Sequence, residues 1–308
     1  MDIRDISIDL SRRPRLQKIL IGEFNFRKKH ENRQASFPFV SGDTFRSISD
    51  YVIDVETDIE RLLTRITRSY FEKEVLFCEV ARLEDLVHCI DKFNLMHIIV
   101  LVHNGDVIDV ELVRKLSTKV DRIYCVNWLE DRTIAEPIPI GIENAHWSTN
   151  GKLNDMVEYY EANLSASLAR DRPVTCFQAF KKATNPEERE KVSSTFQNIE
   201  GSVTFRNRIS RSKFKEMLNR SKFVISPPGN GPDCHRTWEA MYAGAVPVVL
   251  NRAWPFGHLN LPVLSVESWP AAEELLSGDS KTLYNEIWAR AERKRIYFPF
   301  YQNEIWTH

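Results

Sequence analysis

Between Ser36 and Val266 short apolar runs alternate with stretches in which apolar residues recur every three or four positions, the rhythm of β-strands alternating with amphipathic helices. Phe37-Pro-Phe-Val40 leads into Ser41-Gly-Asp-Thr44, after which a helix is predicted to carry Phe45, Ile48 and Val52 inward. Glu74 to Glu79 reads as a strand, Leu83 to Ile90 as a helix, and His97 to His103 as an almost wholly apolar strand of the kind buried on both faces of a parallel sheet. A helix over Ile108 to Leu116 and a strand over Asp121 to Val126 follow, and Pro137 and Pro139 make the next segment an edge strand or extended loop.

A second series begins at Pro173 to Phe180. Its elements are a helix opened by Pro186, a strand at Ser202 to Phe205, a helix at Phe214 to Asn219, strands at Phe223 to Ile225 and Leu261 to Val266, and a helix from Trp269 to Leu276. Two such series predict an α/β protein of two Rossmann-like, doubly wound domains with a cleft between them. The expected boundaries are 1–168 for the first domain, with a charged leader at 1–34, then 169–285 for the second and 286–308 for a helical, aromatic tail packing back on both. Residues 150–171 would bridge the two.

Composition narrows the field without choosing a chemistry. The chain has 308 residues, of which 43% are hydrophobic and 28% charged, and its formal net charge is -1. That is an ordinary globular balance with no support for generic nucleic-acid affinity. Five scattered cysteines, with no CxxC spacing, read as reduced core thiols of a cytoplasmic protein rather than as disulfides or a zinc site. No stretch approaches the length of a membrane span. The basic clusters Arg12-Arg13-Pro14-Arg15 and Arg27-Lys28-Lys29-His30 have two readings, a solvated leader or a peripheral contact with an anionic membrane. The oligomeric state is not encoded in any of these patterns.

The most informative stretch runs from Lys222 to Leu250. A strand ends in Pro227-Pro228-Gly229, Gly231-Pro232 closes the loop, and Asp233 is placed to cap a helix. Free backbone N–H groups and the helix dipole suit that helix start to an anion, above all a phosphate. One helix face would pack through Trp238, Met241 and Ala245, leaving His235, Arg236, Glu239 and Tyr242 on the other. Arg236 and Glu239, three apart, are either site residues or a surface ion pair. Val246 to Leu250 resumes as a strand, with Pro247 arguing for an edge or start position. Lys181 after the strand at Pro173 to Phe180, and Arg208 in the basic cluster Arg206 to Arg211, are further candidates for a phosphate. In the first half, His103, Asn104 and Asp106 follow a strand, where open α/β sheets bind ligands. The alternative for Asn104-Gly105-Asp106 is a turn in which Asp106 caps the next helix. Neither a Walker A sequence nor a GxGxxG fingerprint accompanies these features, which disfavours phosphoryl and hydride transfer.

Ser226-Pro-Pro-Gly-Asn-Gly-Pro-Asp-Cys-His-Arg-Thr-Trp-Glu-Ala, then Ala243-Gly-Ala-Val-Pro-Val-Val, then Trp254-Pro-Phe256, resembles the signature of exostosin-like glycosyltransferases over roughly Lys213 to Val266. The resemblance implies a GT-B fold, a nucleotide-sugar donor held by the C-terminal domain, and inversion at the anomeric carbon. It further implies that Arg236 faces the donor diphosphate, that Glu239 faces ribose or sugar hydroxyls, and that Ser226, Gly229 and Asn230 form the phosphate-side loop. The expected function is transfer from a nucleoside-diphosphate sugar, UDP favoured, to a glycan or glycolipid hydroxyl in surface polysaccharide synthesis. Fixed positive groups would stabilise the departing diphosphate without a metal or a cofactor, in keeping with the absence of an Asp-x-Asp triad. The base would come from the first domain, Asp106 first and Asp43 second, both expected at strand ends, with His103 and Asn104 on the acceptor side. The alternative is a catalytically silent nucleotide- or sugar-binding subunit of a polysaccharide-synthesis assembly.

Overall fold

The computed structural model describes residues 33–67, 73–93, 95–147, 153–157 and 172–307. The basic clusters of the leader and most of the expected bridge lie outside them. Two parallel five-stranded sheets organise the chain. The first contains β1 (Tyr51–Ile53), β2 (Glu74–Glu79), β3 (Leu95–His103), β4 (Val120–Val126) and β5 (Glu136–Ile138), lying side by side in chain order. Short helices precede or join them: α1 (Gly42–Ser47), α2 (Ile59–Ile66), α3 (Leu83–Ile90) and α4 (Val110–Ser117).

Strictly sequential order makes each crossover step in the same direction. Because such crossovers are right-handed, α2, α3 and α4 must fall on one face of the sheet. The packing agrees: Leu63, Leu86, Ile90, Val113 and Leu116 share a core with Leu76, Cys78, Val100, Val102 and Cys125. The alternate residues of the same strands, Val75, Phe77, Ile99, Leu101, Tyr124 and Val126, point to the other face and join a different core. This explains why β3 is apolar at nearly every position.

The second sheet holds β6 (Val174–Ala179), β7 (Val203–Phe205), β8 (Ser221–Ile225), β9 (Val246–Leu250) and β10 (Leu264–Val266), in the order β10-β9-β8-β6-β7. Here the chain steps one way from β6 to β7 and then reverses. Its helices therefore occupy both faces. On one side α5 (Pro186–Thr195), α8 (Trp269–Ser277) and α9 (Ser280–Arg290) supply Val192, Phe196, Trp269, Leu276 and Ile287. On the other, α6 (Arg211–Arg220) and α7 (His235–Tyr242) supply Met217, Leu218, Trp238 and Met241 to the core that also covers the open face of the first sheet. The last helix, α10 (Phe298–Thr307), completes that shared core with Phe298, Tyr301 and Ile305. Tyr124 donates its hydroxyl to Glu304 O at 3.0 Å, so the tail is fastened to the first sheet.

Several local expectations are corrected. The helix after Ser41 ends at Ser47, and Val52 lies instead in β1, a strand too short to show period-two alternation. Asp109, not Asp106, caps α4, accepting from the backbone of Glu111 and Leu112. Cys234 is the residue flanking α7, and Asp233 lies one position earlier. Pro247 is inside the sheet, paired with Val224 between β8 and β10 strands, rather than at an edge. Pro137 does lie in an edge strand, β5. Among the described residues no helix is long and apolar enough to cross a membrane, and all five cysteines are free.

Candidate functional site

The loop after β8 is shaped by an arginine that the sequence pattern did not single out. Arg189, on α5, is buried and donates to Pro228 O at 2.8 Å, Pro227 O at 3.3 Å, Lys181 O at 2.8 Å and Thr184 Oγ1 at 2.5 Å. It thus ties the ends of β6 and β8 together from beneath. Gly229 leaves room for that approach: a Cβ there would lie 2.9 Å from Arg189 Nη2. The only signal for Arg189 in the sequence was its place in a helix opened by Asn185-Pro186, which is ordinary for a surface arginine.

Arg236, in the first turn of α7, shares the underside of this loop. Its guanidinium lies 5.5 Å from the centroid of the Phe180 ring, and Arg189 lies 5.6 Å from the same ring. Nε and Nη1 of Arg236 are shut off from solvent and have no hydrogen-bond partner among the described residues. Burial, then the nearby Arg189 charge, lowers its pKa to about 10. Both guanidiniums lie against the Phe180 ring, but only Arg236 has unspent donors, an arrangement that an anion would complete.

Glu239, one turn on, is buried, and its carboxylate acts electrostatically on Arg236. Almost the whole of α7 from Thr237 to Tyr242 is buried, so the expected polar face is an internal one. Ser226 is also internal, with its hydroxyl 2.8 Å from Thr237 Oγ1. Lys181 and Arg208 are exposed beyond β6 and β7.

The loops of the two halves meet at this place. Asn230 donates to Asp106 Oδ2 at 2.9 Å, joining a donor-loop candidate to a base candidate. Beneath them Asn127, held at φ 57°, donates to Asp106 O and accepts from Asp233 N. Gly231 has no room for a side chain, since a Cβ would meet Asn127 Nδ2 at 2.3 Å. Asp233 is wholly buried and accepts from Ile140 N, Cys234 N and the Trp238 indole, at 2.8 to 3.0 Å. Burial outweighs these donors and lifts its pKa to about 6. His235 Nδ1 donates to Gly141 O at 2.7 Å.

Facing α7 is a cleft of about 580 Å³. His103, Asn104, Asp106, Glu143, His146 and His235 are among its lining residues. Asp106 is exposed at the cleft, whereas the His103 ring is buried with both nitrogens engaged. Nδ1 accepts from Asn104 N at 2.7 Å, leaving Nε2–H to donate to Pro139 O at 3.1 Å. Burial is the chief reason its pKa falls to about 4, so the ring is neutral at physiological pH. Asn104, at φ 59°, accepts from Asn144, which in turn accepts from Asp43 N.

Asp43 lies in the first turn of α1, not at a strand end. Its side chain is fully buried, 3.0 Å from Arg33 Nε and 3.2 Å from His146 Nδ1. Desolvation raises its pKa despite both partners. Asp106 therefore lines the cleft, whereas Asp43 is buried behind it, against Arg33 and His146.

Residues 185–304, roughly two-fifths of the chain, match the RXYLT1 C-terminal domain, a xylosyltransferase family related to the exostosin-like glycosyltransferases. The match begins at the cap of α5, includes Arg189, the β8 loop and Arg236, and ends within α10. It points to a glycosyltransferase-type function for this part of the chain. Among solved structures, the N-terminal domain of trehalose-6-phosphate phosphatase from Candida albicans is similar over 81% of this chain and 75% of that one, at 10% identity and a TM-score of 0.37. No curated protein matches.

Proposed function

We propose that the chain is an inverting, metal-independent glycosyltransferase of GT-B type, which moves a sugar from a UDP-sugar donor to a hydroxyl of a glycan or glycolipid. The observation that carries this reading is the buried, unpartnered edge of Arg236 beside Arg189 and the Pro227-Pro228-Gly229 loop. Negative charge grows on the diphosphate bridging oxygen as the glycosidic bond breaks. A preorganised guanidinium stabilises that charge more than it stabilises the bound donor. In this reading residues 169–285 hold the donor and residues 1–168 the acceptor. Asn230 and Gly229 border the diphosphate, Glu239 reaches the ribose or sugar hydroxyls, and Lys181 and Arg208 lie on the approach. The family of the matched segment makes UDP-xylose the first donor to test.

A thermal-shift panel of nucleoside diphosphates tests the reading. At about a hundred times its Kd, UDP contributes roughly 2.7 kcal/mol to the stability of the native state, a rise of about 5 °C for a chain of this size. Arg236→Met should abolish that shift. It should change the ligand-free melting temperature little, because it removes a desolvated charge while taking a nearby cation from the buried Glu239. The reading fails if no nucleoside diphosphate shifts the parent protein, or if Arg236→Met responds as the parent does.

A further inference from the structure

We infer that the acceptor hydroxyl is deprotonated by His146, with Asp43 as its positioning residue and Trp147 as the platform for the acceptor sugar, an inference that rests on the glycosyltransferase reading above. Sequence reasoning placed the base among carboxylates. The structure sets one of those carboxylates, Asp43, against an imidazole.

Asp43 Oδ2 lies 3.2 Å from His146 Nδ1. A carboxylate only accepts, so Nδ1 carries the proton, and in the neutral ring Nε2 keeps its lone pair. The Asp43 side chain is fully buried, whereas 33% of the His146 side chain is exposed in the cleft lining. Of the two, the imidazole is the one an acceptor can touch. Asp43 itself is held by three further contacts. Arg33 Nε stands 3.0 Å from Oδ1, Asn144 Oδ1 accepts from Asp43 N at 2.8 Å, and α1 lies so close to His103 and Asn104 that a Cβ on Gly42 would overlap Asn104 Oδ1. The dyad therefore has a fixed orienting member and a partly open reacting member, the division of labour that a general base needs.

The charges around the ring suit the same role. Arg33 also contacts Glu79 Oε1 at 2.6 Å, so two carboxyl groups face a single guanidinium, and Glu143 adds a third to the cleft. Carboxyl groups thus outnumber the guanidinium around the ring, which favours an imidazolium formed during the reaction. Next to it Trp147, 59% exposed, lines the same cleft with its ring 5.3 Å from the imidazole at 43°. An exposed indole beside the base offers an apolar face for a sugar ring while leaving the hydroxyl edge free.

The step balances without a co-reactant. The acceptor oxygen forms a bond to the anomeric carbon while its proton passes to His146 Nε2. The bond from that carbon to the phosphate oxygen breaks, and its electron pair leaves with UDP beside Arg236. The imidazolium then returns the proton to solvent.

The experiment uses the full chain with UDP-xylose and a panel of nitrophenyl glycosides as acceptors, measuring UDP binding and UDP release separately. His146→Gln is expected to bind UDP within twofold of the parent and to release UDP at least a hundredfold more slowly. Asp43→Asn should retain binding while losing rate and shifting the acid limb of the kcat profile. Trp147→Ala should raise acceptor KM about tenfold with kcat little changed. If the parent binds no UDP, the glycosyltransferase reading falls. If UDP binds and His146→Gln turns over within threefold of the parent, or Asp106→Asn alone abolishes turnover, the dyad is not the base. The same conclusion follows if the parent binds UDP but releases none from the donor with any acceptor.

Discussion

The two sheets have the same strand number and the same parallel direction, yet the chain visits their strands in different orders. In the first the order is sequential, so it has no point at which neighbouring crossovers diverge. In the second, the steps from β6 to β7 and from β7 to β8 go opposite ways, which opens a crevice between the carboxyl ends of β6 and β8. Phe180, Arg189, Arg236 and the Pro227-Pro228-Gly229 loop gather there. The first sheet, lacking such a crevice, brings residues to the cleft through α1, the loop after β3 and the segment after β5. The second half thus gathers buried arginines at its crevice, and the first brings its polar side chains to the cleft that faces them.

The sharpest way to break this comparison is to cut the joint. Asp233 belongs to the second half but accepts from Ile140 N of the first as well as from the Trp238 indole. Asp233→Ala leaves buried donors unpaired and should cost about 3–5 kcal/mol of stability. Since Trp238 lies in the core shared by both sheets, chemical denaturation should still give one transition, moved to lower denaturant. Two separated transitions, with only the later-melting half unaffected, would mean that the halves are energetically independent.

A second measurement compares the buried titratable groups of the two halves. His103, in the first, has its pKa lowered to about 4 by burial. Between that value and the unfolded one near 6.5, the unfolded chain binds the extra proton, so this residue makes stability rise with pH. Asp233, in the second, has its pKa raised to about 6. The native state binds the extra proton between about 4 and 6, and this residue makes stability fall with pH over nearly the same window. His103→Gln removes only the rising contribution. The free-energy difference between parent and variant should therefore narrow by up to about 3 kcal/mol as pH falls from 6.5 to 4. Urea titrations at several pH values would measure it, and a difference that stays constant with pH would contradict the neutral, buried state assigned to His103.

The contrast also explains which features were legible in the sequence. Glu74 to Glu79 and Leu83 to Ile90 are legible with their observed bounds because a doubly buried parallel strand is a continuous apolar run and an amphipathic helix has a strong period. The β8 loop stood out because Pro-Pro-Gly and Gly-Pro constrain the backbone locally. Arg189 was missed, since what distinguishes it is burial under a loop distant in sequence. His146 was missed for a related reason. The role inferred for it rests on its contact with Asp43, 103 positions away, and no local pattern joins an α1 carboxylate to a histidine beyond β5. Asp43 is a candidate because a strand end is expected there, and the sequence carries no sign that its carboxylate is wholly covered.

The smallest expected effect is at the rim where the halves touch. Asn230 donates to Asp106 Oδ2 across 2.9 Å, but both residues are exposed. One hydrogen bond in water contributes about 0.5–1 kcal/mol, so Asn230→Ala should lower the melting temperature by a few degrees at most. Its effect on ligand binding should exceed its effect on stability if the loop is held ready for an anion. Without the tether, the Gly229 and Gly231 backbone must be ordered each time UDP binds, and that ordering weakens affinity by several-fold. A double-mutant cycle of Asn230→Ala with Asp106→Ala, read once as stability and once as UDP affinity, separates the two contributions. Coupling in both readouts would make the rim contact part of the donor site, whereas coupling in stability alone would leave it a joint between two sheets.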